Sequence, residues 1–149
     1  MLLFCLAFIG LLATGAVIPP ALAADSPATT PGPDLSRVRA EIKAKQYAAA
    51  LAELKGLAVN YQNADIYSLL GHALWKTGDP AQGMIYYNKA LALDPNHKGA
   101  LEYQGELFIE LGQMDKAQEN LTKLNRLCWL GCEERSDLKE AIEHAPGRH

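Results

Sequence analysis

The sequence predicts an all-α chain, a solenoid of three helix-turn-helix repeats closed by a C-terminal capping helix. Beyond residue 34, apolar side chains recur at helical spacing with few β-branched runs. Glycines and prolines punctuate that stretch at regular intervals. The chain also repeats itself at an offset of 34, which places Gly71 on Gly105, Gly78 on Gly112, Leu74 on Phe108, Tyr87 on Leu121 and Ala90 on Leu124. An offset of 33 in the preceding stretch pairs Ala50 with Gly83, Leu54 with Tyr87 and Leu57 with Ala90.

In chain order, the first element is an uncharged apolar leader from Met1 to Ala24. It is broken by Pro19-Pro20 before the small-residue triplet Ala21-Leu22-Ala23. This is the pattern of a cleaved secretory signal, expected over residues 1–23. A permanent anchor would need about 20 apolar residues. The prolines and glycines, and the absence of Lys or Arg before Arg37, speak against it. The leader departs from the signal pattern in carrying no basic residue at its start, and Cys5 is not placed as a lipoprotein cysteine. Residues 24–34 (ADSPATTPGPD) have no bulky apolar group to offset their ordering entropy and are expected to form a flexible linker.

The repeats are expected over residues 35–131, divided at 35–63, 64–97 and 98–131. Gly71 and Gly105 sit mid-helix, where glycine is unfavourable unless another helix crosses too closely for a Cβ. Gly78 and Gly112 fit the left-handed position just past a helix end. Asp79-Pro80 supplies an N-cap and a first helical proline. Ala50 and Ala90 are small where the second helix packs back on the first, and Pro95 stops that helix. Residues 132–149 are expected to hold a capping helix whose Leu138, Ala141 and Ile142 share one face. Asp137 with Glu140 suggests a capping box at its start, and His144 to His149 a frayed end.

Tyr67-x-x-Leu70-Gly71, Gly78, Tyr87, Ala90 and Pro95 resemble the tetratricopeptide repeat (TPR) pattern, and Leu101, Gly105, Phe108, Gly112, Ala117 and Leu121 repeat it. The first repeat departs from it: only Tyr47, Ala50, Leu54 and Leu57 fit, and Leu35, Val38 and Ile42 fall one residue out of register. In the third repeat Trp129 stands where the terminal proline would be. Atypical end units are expected of a solenoid, because each has only one neighbour to pack against. The resemblance implies a small secreted bacterial protein whose first helices line a groove for a peptide or protein segment. The groove positions it implies are Asp65, Ser68, His72, Trp75 and Lys76 in the second repeat and Gly99, Glu102, Glu106, Ile109 and Glu110 in the third.

Composition narrows the function. The 149 residues carry a net charge of −3, against the dense Lys and Arg of a nucleic-acid binder. Without its leader the chain is long enough for one core and short for a two-lobed cofactor enzyme. Glu102, Glu106 and Glu110 are spaced four apart on one helix face. Read as function rather than as a solvated face, they form an acidic strip beside Trp75 for a partner with Lys or Arg and an apolar anchor. The first repeat is basic by contrast, with Arg37, Arg39, Lys43, Lys45 and Lys55 against Glu41 and Glu53. His72 reads as a polar wall rather than a metal ligand, and His97 falls in a turn. No nucleophile or phosphate loop is visible, and Glu102 and Glu106 are expected as neighbours on an exposed helix with nothing to separate their pKa values.

Removing the leader leaves Cys128 and Cys132, four apart around a glycine, an even number for an oxidising compartment. A structural disulfide is one reading. The other is a thiol or soft-metal accessory protein acting through the same pair, which lacks a nearby His or Met. The expectation is a non-catalytic interaction module of the periplasm, without cofactor or metal, with a protein or peptide partner and no membrane insertion after cleavage. The open face of the first repeat also offers a surface for self-association.

Overall fold

A computed structural model describes residues 32–146, which form seven α-helices and no strand. Three helix-turn-helix pairs follow one another: α1 (Ser36–Lys43) with α2 (Tyr47–Asn60), α3 (Ala64–Lys76) with α4 (Pro80–Leu93), and α5 (Lys98–Glu110) with α6 (Met114–Leu127). Helix α7 (Glu133–Glu143) packs on both α5 and α6. The leader expected over residues 1–23 and most of the linker lie outside the described residues, as do the last three residues of the expected frayed end.

The turns inside the pairs share one backbone device. Gly78 and Gly112 take the left-handed conformation at φ 97° and 70°. Lys45, one repeat earlier, does the same at φ 59° although it carries a Cβ. The first pair therefore keeps the turn without the glycine, at a steric cost of about 1 kcal/mol. At the start of α4 the Asp79 side chain accepts from the Gln82 N–H, with Pro80 in the first turn.

The mid-helix glycines mark close crossings. A Cβ on Gly71 would stand 2.8 Å from the Tyr87 ring and 2.9 Å from the Gly83 carbonyl oxygen, both on α4. A Cβ on Gly105 would meet Leu138 at 2.6 Å, so this glycine admits α7 rather than its own partner helix. The core runs through three layers: Val38, Leu54, Ile66 and Leu70 in the first, Trp75, Tyr87 and Leu107 in the middle, and Leu101, Leu124, Leu138 and Ile142 in the last. Ala50, Ala90 and Ala117 are fully buried where second helices meet first helices.

The end of the chain corrects two expectations. Helix α7 begins at Glu133, so Asp137 and Glu140 lie within its body and form no capping box. Gly131, left-handed at φ 101°, turns the chain between α6 and α7, and Cys132 becomes the extended N-cap residue. Glu133 and Glu134 then fall in the first turn, where the helix dipole favours acids. The tail is also less frayed than expected at its start, since His144 caps α7 and Ala145 is buried.

Candidate functional site

The first helices of successive pairs, together with α7, line a cavity of about 500 Å³. Arg39 enters from α1, Asp65, Ser68 and Leu69 from α3, Lys98, Gly99, Glu102 and Tyr103 from α5, and Glu133, Glu134 and Asp137 from α7. Asp94, Asn96 and His97 close it from the α4–α5 turn. Six carboxylates face two cations, Arg39 and Lys98.

One corner is internally compensated. Arg39 Nη2 lies 3.2 Å from Asp65 Oδ1, and His97 Nε2 lies 3.0 Å from the same oxygen. His97 Nδ1 accepts the Ala100 N–H at 3.0 Å, capping α5, so the ring proton sits on Nε2 and is donated to Asp65. Burial pushes the Asp65 carboxyl up, but the His97 hydrogen bond and the Arg39 charge outweigh it and hold it below the usual range. Sequence reasoning placed His97 in a turn and missed this role; its spacing three residues before Ala100, at a helix start, was the available signal.

Glu102 is the opposite case. It is 7% exposed, and neither a hydrogen bond nor an ion pair to it is found among the described residues. Burial, then Glu106, and then Asp137, Glu134 and Glu133 brought in by α7 push its carboxyl up to about 8. Burial also raises Glu106, though the Lys76 charge works against the rise. The expectation of two equivalent carboxylates on an exposed helix is therefore corrected: α5 is an interior member of the stack, contacted by α3, α4, α6 and α7.

The remaining expected groove residues divide. Ser68 is 1% exposed and its Oγ has no hydrogen-bond partner, at the floor of the cavity. Gly99 lies over it: a Cβ there would stand 3.7 Å from Ser68 Oγ. His72 is buried in an aromatic cluster, 4.1 Å from the Tyr103 ring centroid and edge-on to Tyr47 and Trp75. Burial, reinforced by Lys76, lowers its pKa to about 4. Trp75 is not a free anchor. It is 9% exposed, its indole N–H donates to Glu110 at 2.8 Å, and Lys76 Nζ lies 3.4 Å from its ring centroid. Ile109 packs against the last core layer beside Leu138 and Ile142. The acidic strip is thus split, with Glu110 engaged by Trp75 and Glu102 turned to the cavity.

The basic character of the first pair is partly internal too, since Arg37 Nε lies 3.2 Å from Glu41 and 3.3 Å from Glu53. A polar bridge across α4, α5 and α6 was not foreseen. Gln104 donates to Asn88 at 2.8 Å, while Asn120 donates to Gln104 at 3.1 Å and to the Leu101 carbonyl at 3.0 Å. Single amides on helices carry no sequence signal of such pairing.

Cys128 and Cys132 are joined in a disulfide with Cα atoms 5.6 Å apart, linking the end of α6 to the N-cap of α7. Among the described residues, the one group of three potential ligands close enough to share a metal ion is this pair with Glu134. The disulfide ties up both of its sulfurs.

Two family models, both described as tetratricopeptide repeat, match the chain, one over residues 64–97 and the other over 86–119. Among curated proteins none matches it.

Proposed function

We propose that this chain, whose residues 64–119 match tetratricopeptide-repeat models and thereby suggest a protein–protein interaction module, grips an extended protein segment along its first-helix face. The carrying observation is Glu102, a buried carboxyl group left without a partner on that face while Asp65, in the same cavity, has two. A buried carboxyl group with no partner stays protonated because its charge would be unfavourable, and a bound segment supplies the partner that the fold withholds. The action is binding without catalysis. The imidazole nearest the acids, His97, is committed on both nitrogens to Asp65 and to capping α5.

The working compartment we propose is the periplasm. The apolar leader ending in Ala21-Leu22-Ala23 supports export, and a disulfide between Cys128 and Cys132 suits an oxidising compartment. The test is capture of the partner from an envelope extract. Neutralising the α7 rim with Glu133→Gln, Glu134→Gln and Asp137→Asn is expected to abolish capture, while Glu119→Gln on α6 leaves it intact. Undiminished capture by the rim variant contradicts the site.

A further inference from the structure

Resting on the reading of this face as a binding surface, we infer that the cavity takes one basic side chain of the partner, an ammonium or guanidinium, with Glu102 as its counter-ion and Ser68 as its hydrogen-bond acceptor. Four observations converge on that occupant. The charge balance of the lining is acidic, and of its two cations Arg39 is already paired with Asp65. Glu102 faces this space more than nine-tenths buried and unpartnered. The Ser68 hydroxyl is buried, unpaired and able to accept from an N–H. Gly99 withholds a side chain where an incoming group would reach Ser68.

The cavity's shape of charge selects against a metal ion. Among the described residues its carboxylates do not converge closely enough for three to share one ion. A cation borne on an alkyl stem needs only one close carboxylate, with the others contributing field, and the Tyr103 ring offers a surface for the stem.

The occupant changes the protonation of the site. Glu102 interacts electrostatically with Glu106 and Tyr103 on its own helix, with Tyr87 on α4 and with Glu133, Glu134 and Asp137 on α7, and it shares the cavity with Arg39 on α1, Asp65 on α3, Asp94 after α4, and His97 and Lys98 at the α5 start. At neutral pH it holds a proton, and an incoming cation displaces that proton to solvent. Capture is accordingly tighter as pH rises from 6 to 8.

The experiment is a nuclear magnetic resonance titration of the labelled protein with four probes: N-acetyl-lysine methylamide, N-acetyl-arginine methylamide, N-acetyl-norleucine methylamide and calcium chloride. At least one of the two cationic amides is expected to give saturable shifts at Ser68, Gly99 and Glu102, and to bring the Glu102 carboxyl carbon to its ionised position at pH 7. Norleucine and calcium are expected to give neither. Glu102→Gln and Gly99→Ala each weaken the cation by about tenfold or more. The Cβ in Gly99→Ala makes only ordinary contacts, so that variant folds. Equal binding of norleucine, preferential binding of calcium, no saturation by either cation, or unchanged affinity in Glu102→Gln overturns the inference. If the α7 rim variant still loses its partner while no cation titrates, this inference fails and the proposed function stands. If the rim variant keeps its partner, both fail.

Discussion

The indole N–H of Trp75 donates to Glu110 Oε2 at 2.8 Å, joining α3 to α5 across 35 residues of sequence. Trp75 therefore belongs to the frame of the binding face rather than to its contact surface. Trp75→Ala removes a buried ring and is expected to cost about 3–5 kcal/mol, so lost capture in that variant reports a damaged fold. Trp75→Phe keeps a smaller aromatic ring and removes the donor, at about 1–3 kcal/mol for the lost hydrogen bond and buried volume together. Urea denaturation of the two variants beside the parent separates the terms.

Stability should depend on pH through two buried groups of opposite sign. Glu102 ionises ordinarily at 4.5 and in the fold at about 8, so the folded state holds an extra proton between those values and loses stability as pH rises through them. His72 protonates ordinarily at 6.5 and in the fold at about 4, so stability is lost as pH falls through that window. The slopes oppose each other between pH 4.5 and 6.5, giving a plateau, with a decline toward pH 8 from Glu102. Glu102→Gln is expected to remove most of the alkaline decline and to stabilise the protein at pH 8 by on the order of 2–4 kcal/mol, with little change at pH 4.5. Thermal melts across this range provide the check; a variant that melts like the parent at pH 8 contradicts the burial of Glu102.

One chemical change should act with opposite signs at two glycines. Gly71→Ala pushes a Cβ against the Tyr87 ring and the Gly83 carbonyl, costing about 2 kcal/mol or more. Gly56→Ala, in the exposed middle of α2 with nothing within 4 Å, gains about 0.8 kcal/mol from helix propensity. Denaturant midpoints of the two variants decide the matter.

The repeat was legible because its signals are local. Gly78 and Gly112 announce a left-handed turn, Asp79-Pro80 a helix start, and Gly71 a crossing, each through backbone geometry that a sequence displays directly. The candidate site was half legible. The repeat resemblance placed Ser68, Glu102 and Gly99 on one face, but it could not show that α7 would bring Glu133, Glu134 and Asp137 against Glu102 and bury it. Nor could it show that Trp75 would be satisfied by Glu110. Those facts depend on how one helix pair sits on the next, and His97 was missed for the same reason, since its acceptor Asp65 lies one repeat away.

The first pair and the cap are expected to respond to local repair and local damage. Lys45→Gly relieves the left-handed strain and should stabilise the fold by about 1 kcal/mol, measured by thermal melting. Cys128→Ser with Cys132→Ser opens a five-residue loop and should cost about 2 kcal/mol in the chain-entropy estimate. Amide hydrogen exchange in the double serine variant is expected to quicken first in α7. Because the disulfide aligns α7 rather than touching the cavity, partner capture should persist below the lowered melting temperature. Its complete loss with α7 still protected would return the thiol pair to the centre of function.

The most direct measurement of where the partner sits is site-specific photo-crosslinking in the intact cell envelope, with benzoylphenylalanine at Lys98 on the cavity rim and, separately, at Lys55 on α2. The account predicts a discrete adduct from position 98 that disappears when Glu102→Gln is added, and no adduct from position 55. An adduct from position 55 alone, or one from position 98 indifferent to Glu102, would contradict it.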